Sequence, residues 1–159
     1  MLTYDQLPDH ARLWIYPANR NLTAEEVNTL ETKLGEFTDQ WTSHQQDLDA
    51  FGGIWANRFL VIGVDEERAA ASGCSIDKSV RTVQQLGESI EVDFFDRNIL
   101  YVLAGDQLIE YPVNGFKAAY LKGDISDETT VIDPLVQTKA AAKLGFRKPL
   151  ASSWHKRFT

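Results

Sequence analysis

The sequence predicts a single α+β domain over residues 1–159, with about five mostly antiparallel strands and helices mainly on one face of the sheet. Two segments with one apolar helical face each, and two strand pairs separated by turn residues, support this class. The first five elements follow the order strand, helix, strand, strand, helix, which begins a ferredoxin-like arrangement. A chain of 159 residues with 43% hydrophobic residues can bury one core.

The first strand and the first helix are predicted by local patterns. Residues 12–16 are rich in aromatic and β-branched types and stop at Pro17, which indicates a short strand. Thr23 and Glu26 have the spacing of a capping box, in which each side chain accepts a hydrogen bond from the other residue's backbone N–H. The apolar residues that follow recur every three or four positions and predict one buried helical face; they are Val27, Leu30, Leu34, Phe37 and Trp41.

A hairpin and a second helix come next. Residues 51–55 and 58–64 are expected to pair about Ala56 and Asn57, because Asn tolerates the left-handed backbone conformation. The glycines at 52–53 should weaken or bulge the first of these strands. A second apolar stripe, after a loop of small residues, predicts a helix; its members are Ile76, Val80, Val83, Leu86 and Ile90.

The second half of the chain contains a further hairpin and two helices. Residues 99–103 and 108–111 predict the hairpin, and residues 113–122 a short helix. Residues 133–144 predict a helix that starts at an Asp-Pro pair and stops before a glycine. The remaining residues, 149–159, carry aromatic side chains that should dock on the body of the domain.

The charge is distributed unevenly. The net charge is −7, with 16 basic and 23 acidic residues, yet residues 134–159 contain six basic residues and no acidic one. Two interpretations stay open: this basic C-terminal segment packs over an acidic body, or it is an arm that grips an anionic partner. Without an aromatic platform, and beside acidic residues that repel a phosphate backbone, it predicts no nucleic-acid binding.

Cysteine usage and hydropathy predict the compartment. Cys74 is the only cysteine, so no internal disulfide can form, which is typical of a reducing, cytoplasmic environment. The first twelve residues are not apolar enough for a secretory signal. No apolar run approaches the roughly 20 residues of a membrane helix, so we expect no membrane association.

Cys74 is a candidate nucleophile. It lies just before a predicted helix, whose dipole would favour the thiolate. A thiol enzyme also needs a base; the histidines are His10, His44 and His155, and His155 is the first to test as a partner. The favoured alternative is a small buried residue between helix and sheet, since free cysteines are among the most buried residue types. We expect no metal site, because there is no second cysteine or histidine pair at ligand spacing, and no cofactor.

The same stretch could bind an anion. Residues 69–73 have little side-chain bulk, so backbone N–H groups and serine hydroxyls could approach a phosphate or a carboxylate. The predicted ligand-binding residues are Ser72, Gly73, Ser75, Lys78 and Arg81. The alternative is structural, because small residues also let a helix pack close to a sheet.

Nucleotide hydrolysis is excluded by one residue. Residues 59–66 have the form of a Walker B strand, which ends in acidic residues that hold magnesium and position water. The accompanying phosphate loop needs a glycine directly before its lysine and Ser/Thr. Here Asp77 precedes Lys78, and its carboxylate would lie where a phosphate should bind. The sequence therefore predicts no ATPase activity.

Five segments carry a family resemblance: NRF at 57–59, VDEE at 64–67, ASGCSID at 71–77, DFFDR at 93–97 and SWHKRF at 153–158. In these segments the chain resembles a family of short bacterial proteins often labelled "ABC transporter ATPase", and the resemblance covers nearly the whole chain. It implies no catalytic residues. Without a phosphate loop and an LSGGQ-type signature, the label does not describe an activity that these residues could perform.

Two classes of function follow from these patterns. We expect a non-enzymatic binding or interaction protein that uses residues 71–81 for a small anionic ligand or a protein partner. The alternative is a thiol-dependent enzyme or redox sensor that uses Cys74. The residues do not discriminate between a monomer and a homodimer.

Overall fold

Four α-helices and nine β-strands make up the computed structural model, which describes residues 1–159, and every strand pair is antiparallel. The predicted α+β class is therefore confirmed. The strands lie in sheets of three, two and four strands, where one sheet of about five was expected. The chain forms two compact units, the first from residues 1–95 and 137–140, the second from residues 96–136 and 141–159. None of the helices combines the length and apolar character needed to cross a membrane.

The first unit has the expected strand-helix-strand-strand-helix core. Its elements are β1 (Arg12–Pro17), α1 (Ala24–Asp39), the short hairpin of β2 (Thr42–Ser43) and β3 (Gln46–Asp47), β4 (Asp49–Trp55), β5 (Phe59–Asp65) and α2 (Gly73–Ser89). The strand order β1-β5-β4 makes β1 and β4 parallel to each other on either side of β5. This is the split β-α-β arrangement with which a ferredoxin-like sheet begins.

Residues 137–140 run along the open edge of β1. The N–H of Leu13 donates to the carbonyl of Gln137 at 2.9 Å, and the N–H of Lys139 donates to the carbonyl of Ala11 at 3.0 Å. The segment thus covers an edge whose N–H and C=O groups would otherwise be unpaired. Residues 137–140 therefore belong to the first unit, although they follow residues 96–136 of the second unit in the sequence.

The predicted inner face of α1 is confirmed as far as Phe37, whereas Trp41 is buried beyond the end of the helix at Asp39. Thr23 Oγ1 accepts the N–H of Glu26 at 3.2 Å and Glu26 Oε2 accepts the N–H of Thr23 at 2.9 Å, so the capping box forms. Leu30 and Leu34 are buried in the core. At Gly52 on β4 an added Cβ would lie 2.9 Å from the Cβ of Leu34. The glycine therefore allows the helix to approach the sheet closely.

The inner face of α2 differs from the predicted one. Val83 and Leu86 are buried as expected, but Ile76 is only half-buried, whereas Ser75 and Ser79 lie on the buried side. Ser79 Oγ donates to the carbonyl of Ile76 at 2.6 Å. This local bond satisfies the hydroxyl and lets a polar residue occupy the interior.

The second unit contains a four-stranded sheet of order β7-β6-β8-β9. Its elements are β6 (Ile99–Ala104), β7 (Gln107–Pro112), α3 (Val113–Lys122), β8 (Thr130–Ile132), α4 (Lys139–Gly145, shared with the first unit), β9 (Arg147–Pro149) and two 3₁₀ helices, Leu150–Ser152 and Trp154–Phe158. The predicted hairpin and short helix are confirmed as β6–β7 and α3. The expected docking of the chain end is confirmed too, since Trp154 and Phe158 pack against the core of this unit.

The prediction of a helix that begins at Asp133 and Pro134 is wrong. The helix of this region, α4, begins at Lys139. Asp133 instead forms a turn in which its Oδ1 accepts the N–H of Leu135 at 2.9 Å, while its Oδ2 accepts from Lys148 Nζ at 2.7 Å. Both carboxylate oxygens are engaged, so the side chain is not available as a helix cap.

Candidate functional site

The predicted loop leads into α2, whose first turn is capped by its own serines. Ser72 Oγ accepts the N–H of Ser75 at 3.2 Å, and Ser75 Oγ donates to the carbonyl of Ser72 at 2.8 Å. The N–H of Ser72 donates to Ser43 Oγ in the β2–β3 hairpin at 3.2 Å. Both predicted ligand-binding hydroxyls therefore take part in the helix start.

Ser75 faces the core of the first unit. It is 4% exposed, and its carbonyl accepts the indole N–H of Trp41 at 2.9 Å. A ligand in solvent could not reach this hydroxyl without opening the helix start. Any ligand site here must therefore use the other predicted residues.

Gly73, Cys74, Lys78 and Arg81 lie on the exposed side of α2. The last three are spaced by four and three residues, so they follow one face of the helix. The N–H groups of Gly73 and Cys74 have no acceptor in the protein, because the capping bond reaches Ser75. An added Cβ at Gly73 would meet nothing within 4 Å, so the space beside this residue is open.

The electrostatics of the two long helices differ at their N-termini. The first turn of α1 contains Glu25 and Glu26, whereas the first turn of α2 contains no acidic residue. The positive end of the α2 dipole is thus not neutralised by a carboxylate of its own first turn. In the loop before it, Glu66 Oε2 accepts the N–H of Ala71 at 3.0 Å. The loop backbone therefore already binds one carboxylate oxygen.

An open cleft of about 320 Å³ lies at the beginning of this loop, lined by Gln46, Asp47, Arg68 and Ala69. Arg68 Nη2 donates to Asp49 Oδ1 at 2.7 Å. The lining combines a carboxylate, an amide and a guanidinium that is already paired. The cleft therefore shows no preference for an anion.

Cys74 is exposed, so the favoured interpretation of a buried thiol is wrong. The reason is the register of α2. The helix begins at Gly73, and the inward position of its first turn is taken by Ser75, so the preceding side chain points to solvent.

His155, the proposed partner of Cys74, lies in the core of the second unit. It is fully buried, its ring stacks on Trp154 with 3.8 Å between centroids, and its Nδ1 is hydrogen-bonded to Ser153 Oγ. Burial is the largest influence on the ring and lowers the pKa of His155 to about 4. These are the surroundings of a packed, neutral core residue with a partner in its own unit.

The basic C-terminal segment holds three lysines that are bound within their own units. Lys139 Nζ donates to the carbonyls of Tyr4 and Leu7, Lys148 pairs with Asp133, and Lys156 pairs with Asp127. Lys139 is 5% exposed. These contacts favour a packed segment over an arm that grips an anionic partner.

One group of potential metal ligands was not predicted. His10, Asp65 and Glu67 each place one ligand atom so that all three atoms lie within 4.8 Å of one another. His10 is 55 residues from Asp65, so no local spacing indicates the group. Only the pairing of β1 with β5, which a sequence pattern does not specify, could have revealed it.

Comparisons with protein-family models, with curated proteins and with solved structures gave no match. The family resemblance of the sequence therefore stays a prediction. The geometry around α2 is the basis for the functional proposal.

Proposed function

We propose that this protein binds a small anion, through a phosphate or carboxylate group, at the N-terminus of α2 and acts as a binding protein. One observation carries the proposal: the N–H groups of Gly73 and Cys74 have no protein acceptor in a turn whose residues are exposed, with Lys78 on the same exposed face. Unpaired N–H groups at the positive end of a helix dipole favour negative charge.

The expected affinity for a bare anion is low, because the exposed carboxylate of Asp77, next to Lys78 in the sequence, repels negative charge and offsets part of the attraction. Interaction of an exposed charge with a helix terminus contributes about 0.3–1 kcal/mol, and an exposed lysine or arginine adds a similar amount. With two N–H hydrogen bonds of about 1 kcal/mol each, the total of roughly 3 kcal/mol corresponds to dissociation constants of several millimolar. A natural ligand that binds more tightly must make further contacts, for which Arg81 is in position along the helix face.

The test compares thermal unfolding in sodium phosphate or sulfate with unfolding in sodium chloride of equal ionic strength. Phosphate and sulfate stabilise proteins non-specifically through exclusion from the surface, so the difference between variants is the informative quantity. Wild-type protein should gain more in Tm than Lys78→Ala or Arg81→Ala. Lys33→Ala, at an exposed lysine on α1, is the matched control and should keep the wild-type gain. Equal gains in all four proteins would refute the anion site.

Amide chemical shifts give an independent measurement. Titration with phosphate should move the amide signals of Gly73 and Cys74 more than those of the capped Ser75. Signals that move equally over the whole surface would indicate general salt effects instead.

A thiol function is the second candidate, and the exposure of Cys74 one helical turn before Lys78 supports it. If the thiol is functional, alkylation of the folded protein should be faster than alkylation of a small free thiol under the same conditions, and Lys78→Ala should slow it. A rate equal to that of the free thiol would exclude this function. Cys74→Ser separates the candidates, because it removes the thiol and should leave the phosphate-dependent gain in Tm.

A further inference from the structure

We propose that His10, Asp65 and Glu67 form a binding site for a divalent transition-metal cation at one end of the three-stranded sheet. This inference is independent of the anion site, which uses other residues. The register of the sheet determines where these residues lie. Arg12 at the start of β1 lies opposite Val64 near the end of β5. The antiparallel pairing therefore brings the residues before β1 next to the residues that end β5.

Two ligands are positioned by this pairing. His10 Nε2 lies 3.3 Å from Asp65 Oδ1. Two donor atoms that are each about 2.1 Å from a tetrahedral metal lie roughly 3.4 Å apart. The observed separation of the imidazole nitrogen and the carboxylate oxygen thus already suits shared ligation of one ion.

The third ligand is positioned by a turn. Asp65 Oδ1 accepts the N–H of Glu67 at 3.1 Å, which folds the chain back after β5. The ligand atoms of His10, Asp65 and Glu67 all lie within 4.8 Å of one another. The His10 side chain is 62% exposed and Glu67 is exposed as well. Small rotations of these side chains, without a change in packing, would therefore bring the three ligand atoms to bonding distance from one ion.

The charges near the group favour a cation. Arg12 lies 3.9 Å from Glu66, and Arg68 pairs with Asp49 at 2.7 Å. These two arginines, which lie close to the group in the sequence, are therefore engaged with other carboxylates. No lysine or arginine pairs with Asp65, whose Oδ1 lies beside the His10 ring, and none pairs with Glu67. Two carboxylates at this distance repel each other, and a dication between them would remove the repulsion.

The donor set selects the kind of metal. One imidazole nitrogen with two carboxylate oxygens suits zinc, manganese or iron(II), whereas calcium and magnesium prefer oxygen ligands alone. Three protein ligands leave at least one coordination position for water or an exogenous ligand, as in catalytic zinc sites. The site would thus take a transition-metal ion with an open position.

The experiment is isothermal titration of the chelator-treated full chain with zinc chloride. Wild-type protein should bind one equivalent, and His10→Ala and Glu67→Gln should each weaken binding at least about tenfold. His44→Asn is the matched control, because His44 is exposed and outside the group and has a positive φ of 49° that asparagine tolerates. It should bind zinc as the wild type does.

Cobalt(II) gives a second readout that does not depend on heats of binding. Its visible absorption should show ligation by the wild type and should be lost in His10→Ala, while circular dichroism confirms that the variant is folded. The proposal is overturned if the wild type shows no saturable binding, or if His10→Ala binds zinc as tightly as His44→Asn. Loss of this site would leave the response of Tm to phosphate unchanged, so failure here and failure of the anion site are distinguishable.

Discussion

Lys148 Nζ donates a 2.7 Å hydrogen bond to Asp133 Oδ2, deep enough in the second unit that the carboxylate side chain is 7% exposed. The other oxygen accepts the indole N–H of Trp154 at 2.9 Å. Asp133→Asn should therefore lower the free energy of unfolding by about 2 kcal/mol, because a charged acceptor is lost and a partly buried ammonium group keeps no counter-ion. Urea denaturation followed by tryptophan fluorescence measures this loss.

An exposed ion pair in the same unit is the control. Asp127 pairs with Lys156 at the surface, with side chains that are 44% and 42% exposed. Exposed pairs contribute little to stability, since solvent screens them. Asp127→Asn should cost clearly less than the change at Asp133, and equal losses would show that burial does not strengthen the Asp133 pair.

The same pair predicts an acid dependence. Burial raises the pKa of Asp133, but the hydrogen bonds from Lys148, Trp154 and the Leu135 backbone outweigh burial and lower the pKa below its ordinary value. A carboxyl with a lowered folded-state pKa contributes stability above its unfolded pKa, near 3.9, and loses it as the pH falls through the folded value. The difference in unfolding free energy between wild type and Asp133→Asn should stay constant from pH 7 to 5 and shrink below about pH 4. A difference that is unchanged at pH 3 would assign the loss to packing instead of charge.

The elements that were predicted correctly depend on interactions between residues that are only a few positions apart in the sequence. The capping box of Thr23 and Glu26 begins α1 because both hydrogen bonds are local. The β4–β5 hairpin turns at Ala56 and Asn57, whose φ values of 52° and 53° lie in the left-handed region that the Asn at this turn suggested. Interactions between residues close together in the sequence are therefore enough to predict these positions.

The features that were missed depend on partners far away in the sequence. Apolar periodicity does not predict that Ser75 is buried, because its position depends partly on the hydrogen bond that its carbonyl accepts from the indole of Trp41. The prediction that Asp133 caps a helix was wrong because its carboxylate accepts hydrogen bonds from Lys148 and Trp154. His10 finds its partner only through strand pairing. Local patterns therefore predicted β1, α1, α2, α3 and the two longer hairpins, but not the short strands β2, β3, β8 and β9 or the side chains whose surroundings are tertiary.

His155 predicts a second, distinct pH dependence. Burial is the largest influence and lowers its pKa from 6.5 to about 4. The unfolded chain therefore takes up a proton near pH 6.5 that the folded protein does not take up until about pH 4. Stability should be unaffected by this group above pH 7 and should fall as the pH drops through this window, by up to about 3 kcal/mol.

The slope of stability against pH isolates this effect. His155→Gln should flatten the slope between pH 6.5 and 4.5, whatever its effect at pH 7. If that variant does not fold, the imidazole signals of His155 in the wild-type NMR spectrum provide the answer, and they should not move between pH 8 and 5. Signals that move in that range would show that the folded protein admits the charged ring.

Two glycines should respond in opposite directions to the same substitution. At Gly52, an added Cβ would lie 2.9 Å from the Cβ of Leu34, so Gly52→Ala should force α1 away from β4 and cost about 1–3 kcal/mol. At Gly73, an added Cβ would meet nothing within 4 Å in the first turn of α2. Gly73→Ala should therefore be neutral or stabilise by up to about 1 kcal/mol, because alanine restricts the unfolded chain. Urea denaturation of both variants measures the difference, and a loss at Gly73 as large as that at Gly52 would show that the space beside Gly73 is not open.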